Sequence, residues 1–289
     1  MVSLRSARSR KWDRRGIVLA VLLAVFAGSL GRAEETEIRW FKDLAEASAA
    51  AQKANQPMMI DFWANWCGPC KVMDAEVYNV PELVSSFGEK MVGVRIHFDL
   101  QPEMVRKYNV PALPYLVFTD SLGTELMHHR GLIEAEDLTA VVKAFPADIS
   151  EINRLDRILQ EDKNHFASLR KMGQKLRAIG FYESSNGYYG RALKQNEAKK
   201  DSNVREGLLY EMALNSIELM DGKTAATHLE KCLKDFPKSE RRTDMLLNLG
   251  RAYALDEKKD KAKKSFTSVI SDFPQSPAAA QARELLKTL

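Results

Sequence analysis

The sequence predicts an α/β domain, in which helices flank a sheet, followed by an all-α domain built from helical repeats. Residues 38–146 alternate between strand-like and helix-like patterns. After Pro146 hardly a strand-like run remains, and Lys, Glu, Ala and Leu dominate the composition. In this second part an Asp-Phe-Pro triplet occurs twice, 37 residues apart, which indicates an internal repeat. We therefore expect one domain at 34–147 and a second at 148–289.

The elements of the first domain follow from hydrophobic periodicity. An Ala-rich amphipathic run predicts the opening helix, and apolar or alternating runs predict the strands. The Ser121-Leu122-Gly123 segment predicts a hairpin turn between the last two strands. In chain order we expect a helix at 43–55, a strand at 58–63, a helix at 67–78, a strand at 91–98, a short helix at 101–108, strands at 115–119 and 125–129, and a helix at 135–145.

The first 33 residues have the layout of a secretory signal. A basic stretch precedes the apolar run 17–30, and small residues at Gly31 and Ala33 come before Glu34. The apolar run is short for a membrane span, although an uncleaved anchor is an alternative. We expect the rest of the chain to be exported, to a bacterial periplasm in the first instance. The net charge of +4 comes largely from this segment, so no nucleic-acid partner is expected.

Two cysteines separated by two residues, Cys67 and Cys70, are the most informative feature of the chain. The pair follows a strand-like run and opens a helix-like stretch, so Cys67 should cap a helix. Unpaired N–H groups and the helix dipole lower the pKa of a thiol in that position. We expect Cys67 to attack a foreign disulfide, and Cys70, further inside and more buried, to resolve the mixed disulfide. Pro69 presets φ for the first turn, and Gly68 leaves room for a substrate backbone.

Two other interpretations of the cysteine pair are less well supported. A zinc site needs about four ligands, and the third cysteine of the chain, Cys232, is distant in sequence. We therefore predict no metal. A purely structural disulfide over so short a loop would constrain the unfolded chain little. Cys232 itself lies on the apolar face of a repeat helix and should be a buried, inert thiol, with an intermolecular disulfide as the alternative.

Residues 61–71, which read DFWANWCGPCK, resemble the active-site segment of the thioredoxin family, and the resemblance extends over about 110 residues. It implies a thioredoxin fold with a central mixed sheet. It also implies a cis-proline opposite the cysteines. Pro114, directly before an apolar run, takes that position, with Pro111 as the alternative. By the same resemblance Leu113 contacts the substrate and Trp66 shields the cysteines.

Asp61 lies within a strand-like run that is otherwise apolar. By resemblance it is the buried acid that exchanges a proton with Cys70, and desolvation should raise its pKa. The alternative is an aspartate that caps a turn at the strand end. Arg95 stands where the family often has a lysine paired with this acid, and an arginine would hold its proton more firmly.

One departure from the family pattern concerns the helix that follows the cysteines. Residues 71–77 contain no proline, where the family usually has one that kinks the helix. Together with the helix-like stretch 43–55, this is closer to exported thioredoxin-like domains such as the C-terminal domain of DsbD.

The second domain resembles tetratricopeptide repeats. Residues 246–255 supply the first helix of one unit, and a small residue at Gly250 would let the paired helix approach. A weaker copy runs through 188–194. We expect two clear repeats and one or two degenerate ones, which must stack to bury their apolar faces.

These features predict an exported thiol–disulfide oxidoreductase that reduces or isomerises protein disulfides with no cofactor beyond its own dithiol. A membrane thiol reductant of the DsbD type would supply electrons, and the helical domain would bind a protein partner. One alternative is an interaction or assembly protein in which the cysteine pair is a redox latch and does not turn over. A chaperone whose activity survives loss of the cysteines is another.

Overall fold

Residues 37–289 are those that the computed structural model describes, and the signal segment predicted at 1–33 lies outside the described residues. Residues 37–289 form one compact unit. Within this range, no helix combines the length and apolar character that a membrane span requires.

A five-stranded mixed sheet organises the first part of the fold, with strand order β1-β3-β2-β4-β5. Strands β1 and β2 run parallel to β3, whereas β4 is antiparallel to both β2 and β5. The strands are β1 Trp40–Phe41, β2 Met58–Trp63, β3 Val92–His97, β4 Tyr115–Thr119 and β5 Glu125–Arg130. The mixed sheet confirms the predicted fold class. Strand β1 was not predicted, because two residues are too few to give a periodic pattern.

Strand β2 lies at the centre of the sheet and is covered on both faces, which explains its nearly continuous apolar sequence. Because side chains alternate between faces, Met58, Ile60 and Phe62 enter one apolar cluster, and Met59 enters another on the opposite face. Asp61 shares the face of Met59. The carboxyl group is therefore directed to the face of the sheet on which Met73 and Val77 pack.

Five helices flank the sheet: α1 Leu44–Ala54, α2 Gly68–Val72, α3 Pro81–Lys90, α4 Pro102–Lys107 and α5 Ala135–Ala144. The helix predicted at 67–78 is only partly regular, because α2 continues directly into a π-helical turn at Met73–Val77. Helix α3 was missed in the sequence, where one glycine and two serines weaken its helix propensity, although Pro81 marks its first turn.

The rest of the described chain is helical. The helices are α6 Ser150–Glu161, α7 Phe166–Ala178, α8 Tyr182–Leu193, α9 Asn196–Lys200, α10 Ser202–Glu218, α11 Gly222–Asp235, α12 Arg242–Leu255, α13 Lys259–Asp272 and α14 Pro277–Lys287. This part confirms the predicted all-α arrangement.

Three antiparallel helix pairs in this array share one turn geometry. The pairs α7–α8, α10–α11 and α12–α13 each turn at a residue with positive φ, which is Gly180, Met220 and Glu257 in order. In each case the N–H group of the next residue bonds to the carbonyl five residues before it. The three pairs are therefore equivalent hairpins, even though only the first has glycine at the turn.

The helices of a hairpin approach closely because a small residue in the first helix meets a large side chain in the second. A Cβ at Gly173 would lie 2.5 Å from the ring of Tyr189, and one at Gly250 would lie 2.3 Å from the ring of Phe266. The close approach predicted at Gly250 is thus confirmed. The hairpin α7–α8 packs in the same way. The weaker copy predicted at 188–194 lies on the second helix of this hairpin, however, so its alignment with the first helix at 246–255 is wrong, and Gly173 takes the place of Gly250.

The helical array packs directly on the sheet region. The ring of Phe145, which follows α5, contacts Phe181 at a centroid distance of 4.6 Å, and one apolar cluster runs from the sheet into α8. Helix α6 contacts the turn between β4 and β5, where the N–H of Ser121 donates to Asn153 Oδ1 at 3.1 Å. The division at 147/148 stays a prediction.

Met220 offers a test of the turn geometry. Its φ is 58° and its side chain is 70% exposed. We expect Met220→Gly to raise the free energy of unfolding by about 0.5–1 kcal/mol, because glycine adopts positive φ without steric strain. Urea unfolding measures the change. Met220→Ala removes nearly the same surface but keeps the Cβ. Equal stabilisation by both variants would contradict this explanation.

Candidate functional site

The two cysteines are joined in a disulfide at the start of α2, with Cα atoms 5.3 Å apart. Cys67 caps the helix, and the backbone N–H of Cys70 donates to Sγ of Cys67 at 3.2 Å. Pro69 lies in the first turn, as predicted. When the disulfide is reduced, this N–H group and the helix dipole would stabilise a thiolate on Cys67.

Burial does not distinguish the two sulfur-bearing residues. Cys67 and Cys70 are each 3% exposed, so the expectation that Cys70 is the more buried is wrong for this disulfide state. Both cysteines belong to one small cluster with Ala64, against which Trp63, Phe98 and Leu113 pack. Beside the pair, Gly68 and Pro69 are exposed, and a Cβ at Gly68 would meet no atom within 4 Å. A partner chain therefore has room to approach on that side.

Trp66 forms an exposed aromatic surface next to the cysteines. Its side chain is 64% exposed, its indole N–H donates to Asp99 Oδ2 at 2.8 Å, and its ring meets Phe98 edge to face. Asp99 was not predicted as part of the site. The shielding and substrate-contact role of Trp66 stays a prediction.

The peptide bond between Leu113 and Pro114 is cis, which confirms Pro114 over Pro111. Leu113 packs against the cysteine cluster. The residue that the resemblance assigns to substrate pairing thus lies at the disulfide, and its contact with a substrate stays a prediction.

Asp61 lies in the middle of β2 and is 2% exposed, so the turn-capping alternative is wrong. Its register partner on β3 is Arg95, whose Nε donates to Asp61 Oδ2 at 3.0 Å. Burial raises the pKa of Asp61 to about 6, against the opposing effect of Arg95, while the charge of Asp74 raises it further. Near neutral pH this carboxylate can accept a proton in the interior of the domain.

Arg95 is shared between two carboxylates, since its Nη1 also lies 3.0 Å from Asp74 Oδ1. The guanidinium stacks over the ring of Trp63 at 4.7 Å and lies near the rings of Trp40 and Tyr78. The resemblance predicted the Asp61–Arg95 pair but not Asp74. Asp74 is four residues after Cys70 in the sequence, and the π-helical turn that presents it leaves no recognised sequence signal.

The variant Asp74→Asn tests whether the charge of Asp74 affects the pKa of Asp61. Removing its charge should lower the pKa of Asp61, because a neighbouring negative charge no longer opposes ionisation. We expect the acid limb of the pH–rate profile for disulfide reduction to move to lower pH. The matched control is Glu76→Gln in the same turn, whose side chain is exposed. An unchanged profile in Asp74→Asn would show that Asp74 does not act on Asp61.

The remaining cysteine is remote from this chemistry. Cys232 is fully buried in α11, and burial, together with the nearby charge of Glu206, raises its pKa to about 12. Its thiol stays protonated and enclosed, as predicted. Across residues 37–289, no group of three or more His, Cys, Asp or Glu side chains is placed to hold a metal ion.

A disulfide at a helix start, a cis-proline beside it and a buried carboxylate together define a thioredoxin-like redox site. The family model for thioredoxin matches residues 42–144, and the model for a tetratricopeptide repeat matches residues 244–276. Thioredoxin of Mycoplasma pneumoniae is 34% identical over 97 residues, which cover 34% of this chain and 84% of that protein. The chain belongs to the thioredoxin family.

Further similar proteins are found among sequences and among solved structures. Thioredoxin 1 of Chlorobaculum tepidum is 38% identical over 61 residues, covering 21% of this chain and 57% of that protein. This chain thus spans little more than half of that relative. Among solved structures, oxidised mitochondrial thioredoxin 3 of Saccharomyces cerevisiae is 24% identical with a TM-score of 0.31, covering 37% of this chain and 95% of that one. The finer resemblance to the DsbD domain stays a prediction.

Proposed function

We propose that this protein is an exported thiol–disulfide oxidoreductase that reduces or isomerises disulfides of other proteins. The observation that carries the proposal is the Cys67–Cys70 disulfide at the start of α2, with the N–H of Cys70 bonded to Sγ of Cys67. A sulfur held in this way is both an effective attacking thiolate and a good leaving group near neutral pH. No cofactor beyond the dithiol is required.

The reaction has two exchange steps. The Cys67 thiolate attacks a substrate disulfide, a bond forms between Cys67 Sγ and one substrate sulfur, and the other substrate sulfur leaves as a thiolate. Cys70 then gives its proton to the Asp61 carboxylate and attacks Cys67 Sγ, which releases the second substrate thiolate. Two electrons pass to the substrate, and the Cys67–Cys70 disulfide remains.

The proposed direction of electron flow is inferred from the two residues between the cysteines. Gly68-Pro69 resembles the spacer of reducing thioredoxins, whose potential is about −270 mV, and not that of a strong oxidant at about −120 mV. An exported reductase needs a source of electrons, and a membrane thiol reductant of the DsbD type fits that need. The signal layout at 1–33 supports export, with the periplasm as the proposed compartment.

The helical array, proposed as a domain at 148–289, is the part that would bind a protein partner. Stacked helical hairpins form extended surfaces suited to protein recognition. Its direct packing on the sheet region would hold such a partner in a fixed relation to the cysteines.

Two assays of the full chain test the proposal. We expect catalysed reduction of insulin by dithiothreitol and a redox midpoint near −270 mV. A midpoint above about −150 mV would reverse the direction of electron flow. Absence of turnover would favour the redox-latch alternative.

A further inference from the structure

A pair of buried aspartates lies where the helical array meets the sheet region. Asp120 follows β4 and begins the turn to β5, and Asp156 lies on α6, the first helix of the array. Their exposed fractions are 0% and 4%. Thr124 joins them, because its backbone N–H donates to Asp120 Oδ1 at 2.9 Å and its hydroxyl donates to Asp156 Oδ2 at 2.8 Å. The two carboxyl groups therefore meet across the contact between the two parts of the fold.

This pair has no charged partner among residues 37–289. Neither Asp120 nor Asp156 takes part in an ion pair there. The side-chain and backbone donors that reach the two carboxyl groups are uncharged: the N–H groups of Leu122 and Thr124, the Thr124 hydroxyl and the Gln160 amide. Burying one carboxylate without a charged partner is costly, and a second negative charge beside it raises the cost further.

One oxygen of the pair has no hydrogen-bond donor in the described part of the chain. Asp120 Oδ2 is buried and unpartnered, and the carboxyl group of Asp156 lies within hydrogen-bond reach of Asp120. A hydrogen bond between two carboxyl groups requires a proton on one of them. Burial, together with the charge of Asp156, raises the pKa of Asp120 to about 7. Below that pH the pair therefore holds one proton between the sheet region and the array.

The elements around the pair carry further ionisable groups. They are Tyr188 and Arg191 on α8, Tyr108 and Lys107 at the end of α4, and Glu125 and His128 on β5. Burial raises the pKa of both tyrosines, so they keep their protons between pH 6 and 8. His128 and Glu125 pair with each other at an exposed position. Histidine is the other residue type in this set that ordinarily titrates near neutral pH, so His128 requires a control.

We propose that a proton shared by Asp120 and Asp156 holds α6, and through it the helical array, against the β4–β5 turn. When the proton is lost, two negative charges face each other without a charged partner, and α6 separates from the turn more often. Ser121 Oγ and Asn153 Nδ2, which are buried without partners at the same contact, then gain access to water. This inference goes beyond the redox function and does not depend on it.

Hydrogen–deuterium exchange of the full-length protein at pH 6 and pH 8 measures this separation, after correction for the pH dependence of intrinsic exchange. Peptides that cover 119–126 and 149–161 should lose protection about tenfold from pH 6 to pH 8, because the proton that favours the contact is lost as the pH rises through about 7. In Asp120→Asn an amide N–H replaces the shared proton, so protection at pH 8 should equal that at pH 6. Asp156→Asn should behave in the same way and repeats the test at the other carboxyl group.

Two control variants should keep the tenfold loss of protection. Glu161→Gln removes an exposed carboxylate from the same helix, and His128→Gln removes the histidine of β5. Equal protection of the parent protein at both pH values would overturn the inference, and so would a tenfold loss that persists in both aspartate variants. Recovery of protection at pH 8 on addition of calcium or magnesium to the parent protein, but not to Asp120→Asn, would also overturn it, because the pair would then hold a cation. None of these outcomes depends on the insulin assay.

Discussion

Cys67→Ser is expected to reduce catalysed insulin reduction by about 10³-fold or more, to near the uncatalysed background. The Cys70→Ser variant is expected to attack a substrate and then fail to release it. The reason is that the first exchange step needs only the sulfur at the start of α2, whereas release needs the second sulfur one turn further along. Non-reducing electrophoresis followed by mass spectrometry would detect the mixed disulfide on Cys67.

The control is Cys232→Ser, which removes a buried thiol in the helical array and should leave turnover unchanged. The double variant with serine at 67 and 70 should capture nothing. If Cys70→Ser releases substrate as fast as the parent protein, or if the captured protein is attached to Cys232, the assignment of the two cysteines is wrong.

Asp61→Asn should raise the free energy of unfolding and lower the rate of insulin reduction. Folding raises the pKa of this carboxyl from 3.8 to about 6, so the folded state binds the proton more tightly than the unfolded state. The resulting loss of stability appears as pH rises from about 4 to about 6 and is fully present above that range. Removing the buried charge should therefore stabilise the protein by on the order of 2–3 kcal/mol at pH 7.5.

The same substitution removes the proposed proton acceptor for Cys70, so we expect insulin reduction at pH 7 to fall by about 10²-fold. In the variant, Arg95 still pairs with Asp74, so the guanidinium is not left without an acidic partner. Urea unfolding at pH 7.5 and at pH 4 provides an internal control, because the stabilisation should vanish at pH 4. Equal stabilisation at both pH values would mean that the charge of Asp61 is not its source.

The parts of the fold with strong periodicity were predictable from sequence. Strands β2 and β4 begin and end where expected, because both are buried apolar runs at the centre of the sheet. The irregular parts of the fold were not predictable from sequence. The two-residue strand β1 carries no pattern, and the π-helical turn at Met73–Val77 depends on packing, since Met73 and Val77 are both buried.

In the site, the residues with a local motif were predictable and their supporting contacts were not. Cys67, Cys70 and Pro114 stand in recognisable segments, and Asp61 stands out as an acid in an apolar strand. Asp74 and Asp99 act through contacts with residues distant in sequence, which no local pattern reveals. The repeats were partly concealed for a related reason: Met220 and Glu257 occupy turn positions where glycine would have been the signal.

We propose above all that the start of α2 holds the Cys67 sulfur as a thiolate near neutral pH. The most direct test is the rate of iodoacetamide alkylation of Cys67 as a function of pH, in the reduced full-length Cys70→Ser variant. We expect the half-maximal rate at least about one pH unit below the value of about 8.5 for free cysteine. A midpoint at or above the value of free cysteine would contradict the claim.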